Sequence, residues 1–302
     1  MKYIRKILKI FGLILLGLVL LELFLRFLGF VHLMKIENMN ISKKSDRADS
    51  TILCIGDSWT EGAKDGNYPN MLKTHFDKSL GPETVKVMNL GISGSNSTAA
   101  INLLKKNLNK YDPQVVIVMT GNNDHWNLNG STYWEFEKKK KTGFTLLKVK
   151  MRIFFLSLRI RKLYDLLTSK LRGVRPRNEF LYADSVDKSN LKAFYIDREI
   201  HEKQLKYNLI KLVELSKTRQ FNLIFMTYFH FHGYKVNEII RDVALSYRVP
   251  FVDNNYIFHK EIGPADYKKY LIPDGHPNAR GYQMIADRLA ELITEKDLLG
   301  IR

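Results

Sequence analysis

Apolar and polar positions along this chain fall into three regimes. Residues 10–21 are uncharged and apolar, and that character continues to Met34 with only Glu22, Arg26 and His32 interrupting. About 20 apolar residues cross a bilayer, so the stretch predicts a membrane helix in which Glu22 and Arg26, four apart on one face, sit near an interface or in a pair. Residues 35–50 lose the pattern and read as a polar tether. Beyond the tether, short apolar runs alternate with amphipathic stretches. The runs Ile52–Ile55, Val85–Leu90, Val115–Thr120, Leu223–Tyr228 and Phe251–Val252 predict strands. Apolar positions three and four apart predict helices over Tyr68–Leu80, Ser97–Leu108, Glu202–Lys217, Val236–Tyr247 and Ala279–Ile293. Such alternation predicts an α/β fold, with a mostly parallel five-stranded sheet inside a three-layer α/β/α sandwich.

A long insertion interrupts this alternation. Between the third and fourth predicted strands lies an insertion at 126–200, far longer than an ordinary crossover. Its centre, Leu146–Leu167, places Val149, Ile153, Leu156, Ile160, Leu163 and Leu167 on one face, flanked by Lys148, Arg152, Arg159 and Lys162. One basic amphipathic helix is predicted, either packed as an insertion with a solvated rim or laid on a membrane surface. The expected organisation is therefore a cytoplasmic flank and anchor over 1–34, a tether over 35–50, and a single domain over 51–302 carrying the insertion.

Charge sharpens this picture. The formal net charge of +17 is concentrated in two places: four Lys/Arg and no acid in residues 1–10, and fourteen Lys/Arg against the lone Asp165 in 138–177. The remaining body is close to neutral, which argues against a nucleic-acid-binding fold and leaves anionic lipid as the expected partner of the basic insertion. Basic residues precede the apolar helix, so the N-terminus is expected in the cytoplasm and everything after residue 34 outside it. A cleaved signal peptide is the alternative, but no small-x-small site lies between Phe24 and Ser42, which favours an uncleaved anchor. The single cysteine, Cys54, sits inside the first predicted strand, so no intramolecular disulfide is possible.

Candidate chemistry gathers at the ends of the predicted strands. Gly56-Asp57-Ser58-Trp59-Thr60-Glu61-Gly62 follows the first, Asn89-Leu90-Gly91 ends the second, Gly121-Asn122-Asn123-Asp124 follows the third, and Asp274-Gly275-His276-Pro277-Asn278 lies near the C-terminus. Ser, Gly, Asn and His in that order resemble the four blocks of the SGNH (GDSL) hydrolase family, over roughly residues 51–293. The resemblance implies a flavodoxin-like sandwich and a serine esterase, with Ser58 as nucleophile, His276 as general base, and an oxyanion hole of the Ser58 N–H, the Gly91 N–H and the Asn123 side-chain amide. The family places its partner aspartate three residues before the histidine, where this chain has Pro273; Asp274, two before, is the expected substitute, with a Ser-His dyad as the alternative. Asp57 reads as a turn residue that accepts backbone N–H bonds, while His125 and Trp126 are expected near the acyl or leaving-group pocket. His230 and His232 alternate as metal ligands do, yet no cysteine or carboxylate completes a set, so neither metal nor cofactor is expected.

The expected activity is removal of an O-acyl group, O-acetyl in particular, from a cell-surface glycan by an anchored, extracytoplasmic enzyme. The alternatives are an O-acyltransferase using the same residues, and a catalytically inactive glycan- or lipid-binding protein on the same fold.

Overall fold

The computed structural model describes residues 2–41, 49–63, 66–171, 180–182, 194–229 and 235–301. In chain order the elements are α1 (Lys2–Ile41), β1 (Ser50–Gly56), α2 (Ser58–Glu61), α3 (Tyr68–Ser79), β2 (Val85–Gly91), α4 (Ser97–Tyr111), β3 (Val115–Met119), α5 (Tyr133–Lys139), α6 (Gly143–Ser157), α7 (Arg159–Leu171), β4 (Phe180–Tyr182), β5 (Phe194–Ile196), α8 (Arg198–Arg219), β6 (Asn222–Met226), α9 (Val236–Tyr247), β7 (Phe251–Val252), α10 (Asn254–Ile257) and α11 (Ala279–Glu295). The chain divides into two compact units, Met1–Lys43 with Lys138–Glu179, and Lys44–Glu137 with Phe180–Arg302.

The larger unit is built on a five-stranded sheet in the order β2-β1-β3-β6-β7, every neighbouring pair parallel. Parallel strands covered on both faces must be apolar throughout, and Ile52–Ile55 in β1 and Val115–Met119 in β3 are buried at every position. Helices close the sandwich as the periodicity predicted; α11 buries Tyr282, Ile285, Ala286, Leu289 and Ile293. Strand order reverses between β1 and β3, with β2 outside β1. Such a switch point opens a crevice at the carboxyl ends of the strands, where ligands bind in this architecture.

The smaller unit corrects two expectations: α1 runs on to Ile41, seven residues into the stretch expected as a tether, and the predicted insertion helix is broken. The helix predicted over Leu146–Leu167 is two helices, α6 and α7, separated at Leu158, whose backbone is extended (φ −67°, ψ 129°). Neither Gly nor Pro marks the break. What satisfies it is distant in sequence: the Glu22 carboxylate of α1 accepts the freed N–H groups of Arg159 (2.8 Å) and Ile160 (3.0 Å) at the start of α7. An additional short parallel pair, β4 with β5, lies in the insertion where no strand was expected.

Candidate active site

β1 delivers Asp57 and Ser58 to the switch point. Asp57 caps the short helix α2: its Oδ1 accepts the Trp59 N–H at 3.0 Å, while its Oδ2 accepts the Tyr228 hydroxyl at 2.7 Å and the Asn123 amide at 3.3 Å. The turn fits only because Gly91, opposite Gly56 in the β1–β2 register, has no side chain: a Cβ there would lie 2.1 Å from the Glu61 backbone nitrogen. Asp57 is fully buried, and this desolvation pushes its carboxyl up to about 6, against the downward pull of the Tyr228 and Trp59 hydrogen bonds.

His276 arrives from the other end of the chain on a tight turn. The Ile272 N–H donates to the His276 carbonyl (2.8 Å), and Gly275 supports the turn with φ +90°. Asn278 then caps α11 by accepting the Arg280 and Gly281 N–H groups at 3.0 and 3.2 Å, fixing the loop behind the ring. The Trp59 indole lies 6.0 Å from the imidazole and makes edge contacts with Tyr228 and Phe229.

These two segments meet. Ser58 Oγ and His276 Nε2 are 2.7 Å apart, across 218 residues of chain. Asp274 Oδ1 lies 3.0 Å from His276 Nδ1 and also accepts the His276 backbone N–H at 3.1 Å. A carboxylate two residues before the histidine can therefore reach the ring, because the turn folds it back over its own loop. The arrangement contains a hydroxyl, a base in contact with it, and a carboxylate on the far nitrogen of that base, the parts that nucleophilic acyl transfer needs.

Asn123 and Gly91 stand differently from Ser58. The two Asn123 Nδ2 hydrogens face Asp57 and the Ser95 carbonyl (3.3 and 3.1 Å), and its Oδ1 accepts the Trp126 indole N–H at 2.8 Å. The Gly91 N–H donates to Asn89 Oδ1 at 2.9 Å, so it is already held inside the strand end. Among the described residues the N–H groups of Ser58 and Gly94 meet no protein acceptor. Gly94 sits in the turn after β2 with φ +72°, next to Ser95 and against the Trp126 ring. Sequence reading missed Gly94, Tyr228 and Trp59; the one sequence signal for Gly94 was a second glycine in the same loop.

His125 contacts the Asn122 carbonyl through Nδ1 (2.9 Å), so it holds the loop of the Asn block. Asp124, fully buried, receives the Ser97 N–H (2.6 Å), the Ser97 hydroxyl and the Gln204 amide (2.7 Å), and ties α4 and α8 to the strand end. His230 and His232 lie outside the described residues. Among the described residues no group of three or more His, Cys, Asp or Glu is placed to hold a metal ion. Cys54 is buried in β1, which pushes its thiol up and leaves it unreactive.

Solved structures share this fold. A solved acetyl-xylooligosaccharide esterase from Geobacillus stearothermophilus, a mutant form, is 16% identical and shares the fold at a TM-score of 0.50, with 82% of this chain and 94% of that one covered. The acetyl xylan esterase AlAXEase is 14% identical at a TM-score of 0.49, covering 80% of this chain and 99% of its own. A lipase/acylhydrolase from Enterococcus faecalis is 13% identical at 0.48, covering 82% and 96%. No curated protein matches the chain by sequence. The model of the GDSL-like lipase/acylhydrolase family matches residues 54–284, from within β1 into α11 and thus across Ser58, Asn123 and His276. The chain belongs to the GDSL-like lipase/acylhydrolase family and is a hydrolase acting on ester bonds.

Proposed function

We propose that the protein is a membrane-anchored serine esterase that removes an O-acyl group, O-acetyl in particular, from a cell-surface glycan through an acyl-serine intermediate. The observation that carries this reading is the 2.7 Å contact of Ser58 Oγ with His276 Nε2, with Asp274 on the opposite ring nitrogen. With Nδ1–H donated to Asp274, Nε2 is the acceptor and takes the Ser58 proton as Oγ attacks the ester carbonyl. The same nitrogen returns that proton to the departing sugar oxygen, then activates the water that releases the acyl group.

The developing oxyanion needs donors aimed at it, each worth roughly 10²–10³ in rate. Ser58 N–H is one. Gly94 N–H serves as the second in place of Gly91, whose N–H is occupied by Asn89. Asn123 supplies the third when its amide turns from the Ser95 carbonyl toward the substrate, while Asp57, held by Tyr228, keeps its other hydrogen.

The substrate assignment rests on topology. Among the described residues one helix, Tyr3–Val31, is long and apolar enough to cross a membrane, and the basic residues at its start, Lys2, Arg5, Lys6 and Lys9, favour an outward-facing enzyme, which meets surface polymers first. The acetyl-xylooligosaccharide esterase named above carries its activity on the same fold.

The decisive experiment incubates the full-length protein with short p-nitrophenyl esters, with and without a sugar acceptor, and identifies the products. Free carboxylic acid in both cases is expected; acylated sugar as the main product would replace the esterase by an acyltransferase. Ser58→Ala is expected to abolish turnover and fluorophosphonate labelling, and labelling that persisted would overturn the assignment.

A further inference from the structure

Helix α1 carries two charges inside its apolar stretch from Ile10 to Val31, Glu22 and Arg26, and both face the insertion. Glu22, Leu25 and Gly29, spaced by three and four, form the partly covered stripe of a helix whose other side chains over residues 10–31 are exposed. The Glu22 side chain is only 13% exposed. Its Oε2 accepts the N–H groups of Arg159 and Ile160, its Oε1 pairs with Arg26 at 2.8 Å, and Arg26 donates in turn to the Ser157 carbonyl at 3.4 Å. The pair thus satisfies the break between α6 and α7 from both sides, carboxylate on the freed N–H groups and guanidinium on a freed C=O.

Non-helical backbone is tolerated at membrane depth only where protein partners satisfy it. From Ile10 to Glu22 is about 18 Å of helix and from Glu22 to Val31 about 14 Å, so a span over this stretch puts Glu22 near the middle of a hydrocarbon layer about 30 Å thick. At that depth, a carboxylate that accepts the freed N–H groups of the break at Leu158 is a reason for both to be there.

The surface of α6 agrees. Its predicted stripe, Val149, Ile153 and Leu156, is the covered side. A second apolar stripe, unforeseen in sequence, points outward: Phe144, Leu147, Met151, Phe154 and Phe155 are each 50% or more exposed. A helix apolar on both sides is buried in protein or in lipid. At 15 and 13 residues, α6 and α7 are about 22 and 20 Å long, too short to cross singly. On α6 the Lys148 stem runs along this apolar surface, its ammonium over the Phe144 ring at 4.8 Å, as a lysine at a membrane interface does.

We propose that α6 and α7 form a re-entrant hairpin seated in the bilayer against α1, with its tip at residues 157–160 clamped by Glu22 and Arg26, and with anionic lipid headgroups around its basic residues. The inference rests on the membrane reading of α1 and not on the hydrolase chemistry. It makes α1 a permanent part of the fold, since cleaving it would strip the tip of its partners.

The test uses the full-length chain in phosphatidylglycerol-containing vesicles, with single environment-sensitive fluorophores on introduced cysteines; native Cys54 is buried and does not compete. Labels at Leu15→Cys in α1, Phe154→Cys in α6 and Leu245→Cys in α9 are compared for quenching by lipid-borne nitroxide and by aqueous iodide. The hairpin predicts lipid quenching at the first two and iodide quenching at the third. Iodide quenching at 154 with lipid quenching at 15 would overturn the hairpin and leave the anchor; iodide quenching at both would overturn the anchor as well. Glu22→Leu, read with the 154 label, is expected to move that label from lipid to iodide quenching, and an unchanged profile would overturn the clamp.

Discussion

Asp57 and Asp124 are both fully buried carboxylates, and burial pushes each from an ordinary value of 3.8 up to about 6. A carboxyl whose pKa is raised on folding holds its proton more tightly in the folded state. Its contribution is therefore fully present below about pH 3.8, declines from there to about pH 6, and is lost above. For Asp124 that interval corresponds to ~3 kcal/mol, the net of desolvation and of the hydrogen bonds from Ser97 and Gln204 that pull the other way. Asp124→Asn removes the titration. The stability of the variant minus that of the wild type is expected to rise between pH 4 and 6 and then level, as read by urea denaturation at each pH. A difference independent of pH would show that Asp124 does not titrate in that range. The residue type was legible in the sequence as part of the Asn block, but its protonation was not, because burial is set by α4 and α8 closing over it.

At the scale of elements, strand and helix periods located every strand of the main sheet and its five long helices, with boundaries shifted by a few residues. What periodicity could not locate was the break at Leu158, because the stripe Ile153, Leu156, Ile160, Leu163 and Leu167 continues at helical spacing across it. Gly91 shows the same limit from the other side. It was expected to let an acyl group approach the backbone, yet its missing Cβ admits the backbone of α2, and its N–H is taken by Asn89. Gly91→Ala forces a Cβ to within 2.1 Å of a backbone atom, so β2 or α2 must move. A loss of at least about 1–3 kcal/mol is expected by analogy with overpacked cores, together with lowered activity through the displaced Ser58. Thermal melts of wild type and variant check it, and equal melting temperatures would mean that the β2–α2 approach has room for a methyl group.

Charge belongs to the whole molecule. The fourteen Lys/Arg in residues 138–177 sit on an otherwise balanced body, and basic side chains near an anionic surface contribute ~1 kcal/mol each. A fragment spanning residues 36–302 lacks most of α1 and with it the Glu22 and Arg26 clamp, so only the charge attraction remains: it is expected to sediment with phosphatidylglycerol vesicles at low salt, to be released at high salt, and to lose binding when 138–177 is deleted. Salt-independent sedimentation would place the attraction in the apolar face of α6 instead. This scale also separates the two compact units. Residues 138–179 group with the N-terminal helix, not with the strands that flank them in sequence.

The sequence by itself determined the sheet and its covering helices, the long apolar N-terminal helix, the location of the charge, and Ser58, Asn123 and His276 at strand ends or loops, because those features are written in local period and in short contiguous blocks. Tertiary structure decided what depends on atoms far apart in the chain. It brought Asp274 over the His276 ring through a turn, and it left the Gly94 N–H open while closing that of Gly91. It also met the Glu22 carboxylate with the N-terminus of a helix 137 residues later. Hydrogen bonds of that kind have no period, so no pattern along the chain announces them.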